Sequence, residues 1–475
     1  MIGRQRCASH YESVLKNANS VYTGGDDSAV GLGILDREWA NIVKAHSLIS
    51  LLVEEDLTAA DLCISYIISG GEVLMLRQSI QARMAWLITA QTAARRLGSE
   101  RDEITCLGNL GNAYAELGES QRALRLYEEG LAISRKLHDR PSEGAILGNI
   151  GNVYSNLGEM KQSIECHEQA LVVARELVDP RTEAVELSNL GLAYSMSGKT
   201  KAAIDYYEQA LTIENQIGNL RNQSFILNNL GTAYMDLSNM QAALEYYQRG
   251  LAIARRLKDS QVQSMVLSSL GTLYKVMGQT QRALELYQEG LKISRRLGDR
   301  FGEVTELNNL GNAYSDLGET KRALGFYEQS LTLAREIGDR RGEGNALGNL
   351  ANMYMDASET ERALNFYEQA LAISQDIDDQ HGEIVDLNNL AIVYDKLGEN
   401  ERAIELYERV IAIAFTSGDR RVQGTAHVNL SATLMAAGFR EQALSHSRNA
   451  LALFEQIESP YTEQVRQQLA EWGEP

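Results

Sequence analysis

Apolar residues recur along the chain at the spacing of one helix face. In the stretch 307–319, the apolar positions are Leu307, Leu310, Gly311 and Tyr314. The spacing i, i+3, i+4, i+7 is typical of an amphipathic helix. A second run of this kind covers 320–337, and Gly318 and Gly338 follow the two runs as suitable helix ends. The pattern predicts two helices joined by a short turn, with Asp339 as the cap of the next helix.

This helix pair is repeated every forty residues. Shifting "LNNLGNAYSDLGE" by multiples of forty returns "LGNLGNAYAELGE" at 107, "LGNLANMYMDASE" at 347 and "LNNLAIVYDKLGE" at 387. Nine such repeats, numbered 1 to 9, cover residues 100–459 without an insertion, so that repeat 6 is 300–339. One helix pair cannot bury its apolar face alone, so neighbouring repeats must stack. The sequence therefore predicts an all-α solenoid of antiparallel helix pairs.

The flanking segments differ from the repeats. Residues 60–99 keep the forty-residue phase weakly, and we interpret them as a degenerate repeat that caps the open apolar end of the array. Residues 460–475 predict a C-terminal capping helix and tail, with Pro460 at the first helical position. Residues 1–59 form a separate non-repeat helical segment. For that segment we expect a helix near 5–21, a loop at 23–27 and a helix over 36–54.

The repeated residues resemble the tetratricopeptide repeat (TPR) family. The residues that carry the resemblance are Leu310, Gly311, Tyr314, Gly318, Ala323, Tyr327 and Ser330. The usual unit has about 34 residues, whereas this one has forty and lacks the terminal proline. It is similar to the long-helix subclass of kinesin light chains and of G-protein-regulator polarity scaffolds. The resemblance implies a right-handed superhelix whose first helices line a concave, peptide-binding groove.

A second, shorter resemblance lies in the non-repeat segment. "LDREWANI" at 35–42 resembles the linker between the ATPase module and the repeats of bacterial STAND-class signalling ATPases. The resemblance implies repeats that sense a ligand. Such an ATPase needs the phosphate loop G-x-x-x-x-G-K-[ST]. The nearest string, at 193–200, has Ala193 in place of the first glycine and falls in a turn between two predicted helices. We therefore expect the nucleotide-binding module to be absent.

Composition narrows the class of function. The 475 residues include 45 Lys and Arg against 64 Asp and Glu, a net charge of −19. This charge disfavours binding to nucleic-acid backbones and to anionic membranes. The four cysteines form no CxxC pair, and the N-terminus has no apolar signal-peptide core. The most apolar stretch is too short to span a bilayer. We expect a cytoplasmic protein with reduced thiols.

Candidate catalytic chemistry is missing from the sequence. The seven histidines show no HExxH or other metal-ligand spacing, and no G-x-S-x-G nucleophile motif occurs. Tyrosines and carboxylates recur with the repeat period, which indicates architecture before chemistry. We therefore predict no enzymatic activity, no catalytic residue, no metal and no cofactor. A third hypothesis, an enzyme that uses residues 1–59, has no catalytic constellation to support it.

Three polar columns oppose the apolar face of the first helix and are predicted to face the groove. Each column is named by its member in repeat 6. Column 309 holds an asparagine in eight of nine repeats, namely Asn109, Asn149, Asn189, Asn229, Asn309, Asn349, Asn389 and Asn429. Column 312 varies and includes Asn112, Asn152, Asn312 and Asn352. Column 308 is small or polar and includes Asn228, Asn308 and Asn388. Further acidic groove residues are Asp236, Asp316 and Asp356.

The constant column has two interpretations, which the sequence leaves open. Its amides either bond within or between neighbouring first helices and set the superhelical pitch, or they pair with the backbone of an extended peptide. The two varied columns are candidates for choosing the partner. The acidic residues favour a basic or neutral polar partner over an acidic one.

Two functions follow as hypotheses. The first is a non-enzymatic scaffold that binds a peptide or protein segment along the concave groove. The second is the ligand-sensing repeat region of a STAND-type ATPase. Exposed ends of the array would also allow a homodimer.

Overall fold

The computed structural model describes residues 2–23, 28–457 and 459–473, and every regular element in these ranges is a helix. The helices are α1 (Ile2–Thr23), α2 (Ser28–Ser50), α3 (Leu57–Arg77), α4 (Ile80–Leu97), α5 (Glu100–Glu116), α6 (Ser120–Leu137), α7 (Arg140–Asn156), α8 (Met160–Glu176), α9 (Pro180–Met196), α10 (Thr200–Ile217), α11 (Leu220–Asp236), α12 (Met240–Leu257), α13 (Ser260–Val276), α14 (Thr280–Leu297), α15 (Arg300–Asp316), α16 (Thr320–Ile337), α17 (Arg340–Asp356), α18 (Thr360–Asp376), α19 (Gln380–Lys396), α20 (Asn400–Ser417), α21 (Arg420–Ala436), α22 (Arg440–Gln456) and α23 (Thr462–Glu471). No described helix is long and apolar enough to cross a membrane. The all-α class is confirmed.

The predicted helix ends of repeat 6 are confirmed. The second helix spans Thr320–Ile337, and Gly338 ends it in the left-handed conformation with φ 72°. A glycine adopts that conformation without the steric cost that a Cβ brings. Asp339 then caps α17, because its carboxylate accepts a hydrogen bond of 2.8 Å from the backbone N–H of Gly342.

The chain forms two compact bodies, which we describe separately. The N-terminal body comprises residues up to Val153 together with Val172–Leu177, and the C-terminal body comprises Tyr154–Leu171 and the residues from Val178 onward. Repeats 3 to 9 therefore lie in the C-terminal body.

In the N-terminal body, α1 and α2 share one core with α3 and α4. Its buried side chains include Leu15, Ile42, Tyr66 and Trp86. The two helices expected near 5–21 and 36–54 are present, but α2 starts earlier, at Ser28, and ends at Ser50. The loop expected at 23–27 falls on residues 24–27, outside the described residues. The degenerate repeat is a helix pair whose first member, α3, is broken at Gly71.

Close approach of the two helices within a repeat explains the small residue at 311. A Cβ built on Gly311 would lie 2.4 Å from the ring of Tyr327, and one on Gly231 would lie 2.6 Å from Tyr247. The tyrosines of this column are almost completely buried. In five repeats, those with glycine at 111, 191, 231, 271 and 311, the tyrosine ring thus lies directly against the backbone of its own first helix, which fixes the distance between the two helices.

Ion pairs connect successive repeats. Arg295 contacts Glu303 of the next repeat at 2.8 Å, and Arg335 contacts Glu343 at the same distance. The arginines are half exposed, whereas the carboxylates are largely buried. Exposed pairs of this kind contribute about 0–1 kcal/mol each. These regularly spaced ion pairs therefore orient neighbouring repeats more than they stabilise the fold.

The C-terminal helix α23 packs against α22 at the end of the last repeat. Val465 and Leu469 on α23 pack against the buried ring of Phe454 on α22. The helix begins at Thr462, two residues after Pro460, so the proline precedes the helix instead of occupying its first position. A hydrogen bond of 2.8 Å from the hydroxyl of Thr462 to the backbone carbonyl of Ser459 stabilises the turn that leads into α23.

Candidate functional site

A cleft of about 970 Å³ runs along the first helices of repeats 6, 7 and 8 in the C-terminal body. It brings together six of the predicted asparagines, namely Asn308, Asn309, Asn312, Asn349, Asn352 and Asn389. They come from α15, α17 and α19, one helix per repeat. Because the forty-residue period returns equivalent positions to the same helix face, their amides lie in successive rows.

The opposite wall of this cleft comes from far away in the sequence. Residues 155, 156 and 158, with Leu192 and Met196, line that side. At the edge, a Cβ on Gly158 would lie 2.8 Å from Oε1 of Gln380. The turn after repeat 2's first helix therefore touches the start of α19, more than five repeats later in the chain. The sequence analysis did not predict this second wall.

Column 309 shows interactions within the protein at two of its members. Asn429 donates from Nδ2 to Oδ1 of Asn388 on the preceding first helix at 2.9 Å. The side chain of Asn309 lies near the carboxylate of Glu306, one turn earlier on its own helix, and partly offsets the effect of burial on the pKa of that carboxylate. The interpretation of this column as a structural element has direct support there. Asn349 and Asn389 line the cleft, where a ligand would meet them.

Column 312 is tied to the buried tyrosine of its own repeat. The hydroxyl of Tyr327 donates to Oδ1 of Asn312 at 2.7 Å, and Tyr127 donates to Asn112 at 2.6 Å. Tyr367 donates to Asn352 in the same way. Burial raises the pKa of Tyr327, so its hydroxyl keeps the proton it donates. One acceptor site of each amide oxygen is therefore used within the protein, which narrows the predicted role of these asparagines in choosing a partner.

Threonine replaces asparagine in this column in two repeats and makes the same contact. Thr232 bonds the hydroxyl of Tyr247 at 2.9 Å, and Thr272 bonds that of Tyr287 at 3.1 Å. The variation that the sequence suggested as partner specificity thus follows, in part, an internal hydrogen bond.

Two members of column 308 are buried. Asn308 is 8% exposed and Asn228 is 6% exposed, and among the described residues neither Oδ1 has a hydrogen-bond partner. A buried carbonyl without a donor is costly. Asn308 lies at the wall of the cleft, but its Oδ1 is itself buried and is not presented to a ligand.

Buried carboxylates beneath the cleft are a feature that the sequence analysis missed. Glu306 is 1% exposed and accepts a hydrogen bond from Ser268. Its carboxylate has space because residue 290 is a glycine: a Cβ at that position would lie 2.4 Å from Oε1 of Glu306. Burial raises the pKa of Glu306 to about 8. Asp386 occupies the same column in repeat 8, and burial raises its pKa to about 6. The available signal was a carboxylate, at Glu186, Glu306 and Asp386, in a column that is Cys, Ile, Val or Ala in the other six repeats.

Charged side chains at the cleft are largely paired with one another. Arg341 contacts Asp379 at 3.0 Å, and Arg340 contacts Glu343 at 2.7 Å. Asp339 is engaged as a helix cap. The cleft therefore offers amides more than net charge.

The other predicted residues lie outside this cleft. Those in the N-terminal body are Asn109, Asn112, Asn149 and Asn152. Those elsewhere in the C-terminal body are Asn189, Asn228, Asn229, Asn388, Asn429, Asp236, Asp316 and Asp356. Asp316 pairs with Lys275 at 3.7 Å. The surrounding protein raises the pKa of Asp236, although the Arg421 guanidinium opposes that shift. Among the described residues, no three His, Cys, Asp or Glu side chains form a group that could hold a metal ion.

Three of the solved structures that resemble this chain are described next. A Signal Transduction ATPase with Numerous Domains (STAND) protein with a tetratricopeptide repeat sensor from Pyrococcus horikoshii is 16% identical, over 93% of this chain and 65% of that chain, with a TM-score of 0.48. The apo quorum sensor NprR from B. thuringiensis is 17% identical, over 76% and 99%, with a TM-score of 0.46. A putative kinesin light chain with TPR-like repeats from Podosopora anserina is 21% identical, over 42% and 96%, with a TM-score of 0.35. No curated protein matches the sequence.

Family models described as tetratricopeptide repeat match most of the repeat array. One matches residues 142–216, 223–296, 264–336, 303–376 and 342–414, which together exceed half of the chain. Another matches residues 104–142. The matched ranges coincide with the forty-residue repeats found in the sequence.

Proposed function

The chain belongs to the tetratricopeptide repeat family, and we propose that it is a non-enzymatic scaffold that binds an extended protein or peptide segment in the cleft over α15, α17 and α19. The observation that carries this proposal is the gathering of six asparagine amides from three successive repeats along one open cleft. Amides supply both donors and acceptors, which is what an extended backbone requires of a surface.

The spacing of the repeats fits such a segment. Neighbouring packed helices lie about 8–10 Å apart, and an extended chain advances ~3.3 Å per residue. Each repeat therefore meets about three residues of the ligand, and one backbone amide in three would face the next asparagine. The second wall of the cleft, at Leu192 and Met196, limits the width available to it.

The partner that fits is neutral polar or basic. Most charged side chains that line the cleft are engaged within the protein, in ion pairs or as helix caps, so backbone recognition needs no charge on the ligand. The net charge of −19 disfavours an acidic segment at longer range. A polar cleft offers little apolar burial, so affinity would accumulate over several repeats.

The test uses random dodecapeptides displayed on phage and selected on the full chain. Peptides so obtained are synthesised and their affinity is measured by fluorescence anisotropy. The triple variant Asn309→Ala, Asn349→Ala and Asn389→Ala should bind them at least about tenfold more weakly. A matched triple variant in the same column, Asn109→Ala, Asn149→Ala and Asn189→Ala, lies outside the cleft and should bind normally.

Circular dichroism separates the two interpretations of the constant column. If the cleft variant stays folded and binds as well as the unaltered chain, the amides do not read the ligand. If it unfolds, their role is structural.

A further inference from the structure

A second, mainly apolar cavity of about 410 Å³ lies at the C-terminal end of the array, between α19, α21 and α23. Its apolar walls include Ile384, Val385, Val410, Val422, Phe454 and Val465. We call it the end pocket. Its volume lies within the range of about 300–1,000 Å³ that is usual for ligand sites. It differs sharply in character from the amide-lined cleft over α15, α17 and α19.

Two substitutions within the repeat pattern explain the end pocket. Column 306 holds Ala426 in repeat 9, where repeats 2 and 4 have Ile146 and Ile226. Column 334 is Ala or Ser in most repeats, but in repeat 9 it holds the ring of Phe454, which is 1% exposed. A Cβ on Gly424 would lie 2.5 Å from that ring. The bulk removed at 426 leaves a hollow that the following helix, α23, does not fill.

The polar groups of the end pocket limit what can enter it. The side chains of Asn388 and Asn429 are hydrogen-bonded to each other at 2.9 Å, so part of their hydrogen-bonding capacity is already used within the protein. Arg421 is exposed and is the one charged side chain among the described lining residues. A cationic group beside the pocket would be repelled by it, and the carboxylate of Asp236, which interacts with Arg421, reduces that repulsion in part. An uncharged apolar group, with a neutral or anionic neighbour, matches this surface.

The end pocket adjoins the cleft, with which it shares one lining residue. Val385 on α19 lines both cavities and is 43% exposed. A segment that passes Asn389 in the cleft therefore reaches the mouth of the end pocket about one repeat further, which is about three extended residues.

We propose that the end pocket holds one apolar side chain, aliphatic or aromatic, of the same extended segment that lies in the cleft, and that no basic residue adjoins this anchor. This inference rests on the proposed function. A buried aliphatic or aromatic side chain supplies binding energy that a row of solvated amides does not. The cleft thus reads the backbone, and the end pocket fixes the register of the segment.

The test uses the same dodecapeptides selected from phage on the full chain. The sequences should share one apolar position with no Lys or Arg beside it. Replacing that residue by Ala should weaken binding roughly 10- to 100-fold. Ala426→Ile, which restores the residue found in repeats 2 and 4, should fill the end pocket and cause a similar loss. In the double-mutant cycle the two losses should not add, because each removes the same contact.

Two further variants keep the result interpretable. Thr425→Trp blocks the mouth from an exposed position if Ala426→Ile perturbs folding. Ala346→Ile makes the same change in repeat 7, outside both cavities, and should leave binding unchanged.

The outcomes separate this inference from the proposed function. Losses that add, or Ala426→Ile and Thr425→Trp variants that bind normally, overturn the anchor; if the cleft asparagine variant still loses binding, the proposed function stands. Peptides that depend on Ala426 but not on the cleft asparagines support the anchor and overturn the cleft. Selection of no peptide at all overturns both.

Discussion

The two faces of the first helices in repeats 6 to 8 obey different physical rules. The face towards the second helix is defined by steric fit, because the ring of Tyr327 lies against the backbone at Gly311. The face towards the cleft carries amides that are half-buried or exposed, apart from the buried Asn308, and it has room for a ligand. One helix can therefore specify the fold through one face and leave its other face open to binding.

The largest effect is expected when the steric fit between the two helices of a repeat is removed. Tyr327→Ala should lower the free energy of unfolding by about 3–5 kcal/mol, because it leaves a cavity beside Gly311. Asn349→Ala on the cleft face should change it by only about 0.5 kcal/mol. Denaturant unfolding followed by circular dichroism measures both. Equal losses would show that the cleft face is as structural as the packed face.

Much of this packed face could be predicted from the sequence. The bounds of α16, the left-handed Gly338 and the cap Asp339 all follow from local rules that one repeat contains. Helical periodicity also places six of the predicted asparagines along one cleft, whereas their role in binding stays a prediction. The predicted start of the helix over 36–54 was wrong, since α2 begins at Ser28 in a segment without a repeat to guide the assignment.

The remaining features depend on more than one repeat. The contact between Gly158 and Gln380 depends on the small rotations between neighbouring repeats, accumulated over more than five repeats. No local sequence pattern specifies that accumulated rotation. The end pocket lies where the small side chain of Ala426 occurs together with Phe454, which replaces the Ala or Ser that most repeats have in column 334. The carboxylate of Glu306 is buried only because Gly290, on another helix, leaves space for it.

Glu306 offers a pH-dependent test at the border of the two faces. Its pKa rises from 4.5 to about 8 through burial, so the folded chain binds this proton more tightly than the unfolded chain. The stabilisation is complete below the unfolded pKa and is lost as the pH rises towards 8. Glu306→Gln keeps an acceptor for Ser268 and should raise the thermal midpoint more at pH 8 than at pH 5.

The control for that test is Glu328→Gln, which alters an exposed carboxylate on α16. The difference in thermal midpoint between this control and the unaltered chain should not change with pH. A pH-independent difference for Glu306→Gln as well would show that the buried group stays ionised in the folded protein.

The smallest expected effect concerns the distant wall of the cleft. Gly158 and Gly198 have the same left-handed backbone, with φ 77° and 74°, but a Cβ at 158 meets Gln380 whereas one at 198 meets nothing within 4 Å. Asparagine tolerates this conformation better than other non-glycine residues. Gly158→Asn should therefore cost about 1 kcal/mol more than Gly198→Asn, because it must displace Gln380. Adding Gln380→Ala should remove that difference, as measured by denaturant unfolding. An unchanged difference would mean that the turn at 158 and the start of α19 do not touch in solution, and the cleft would then have one wall instead of two.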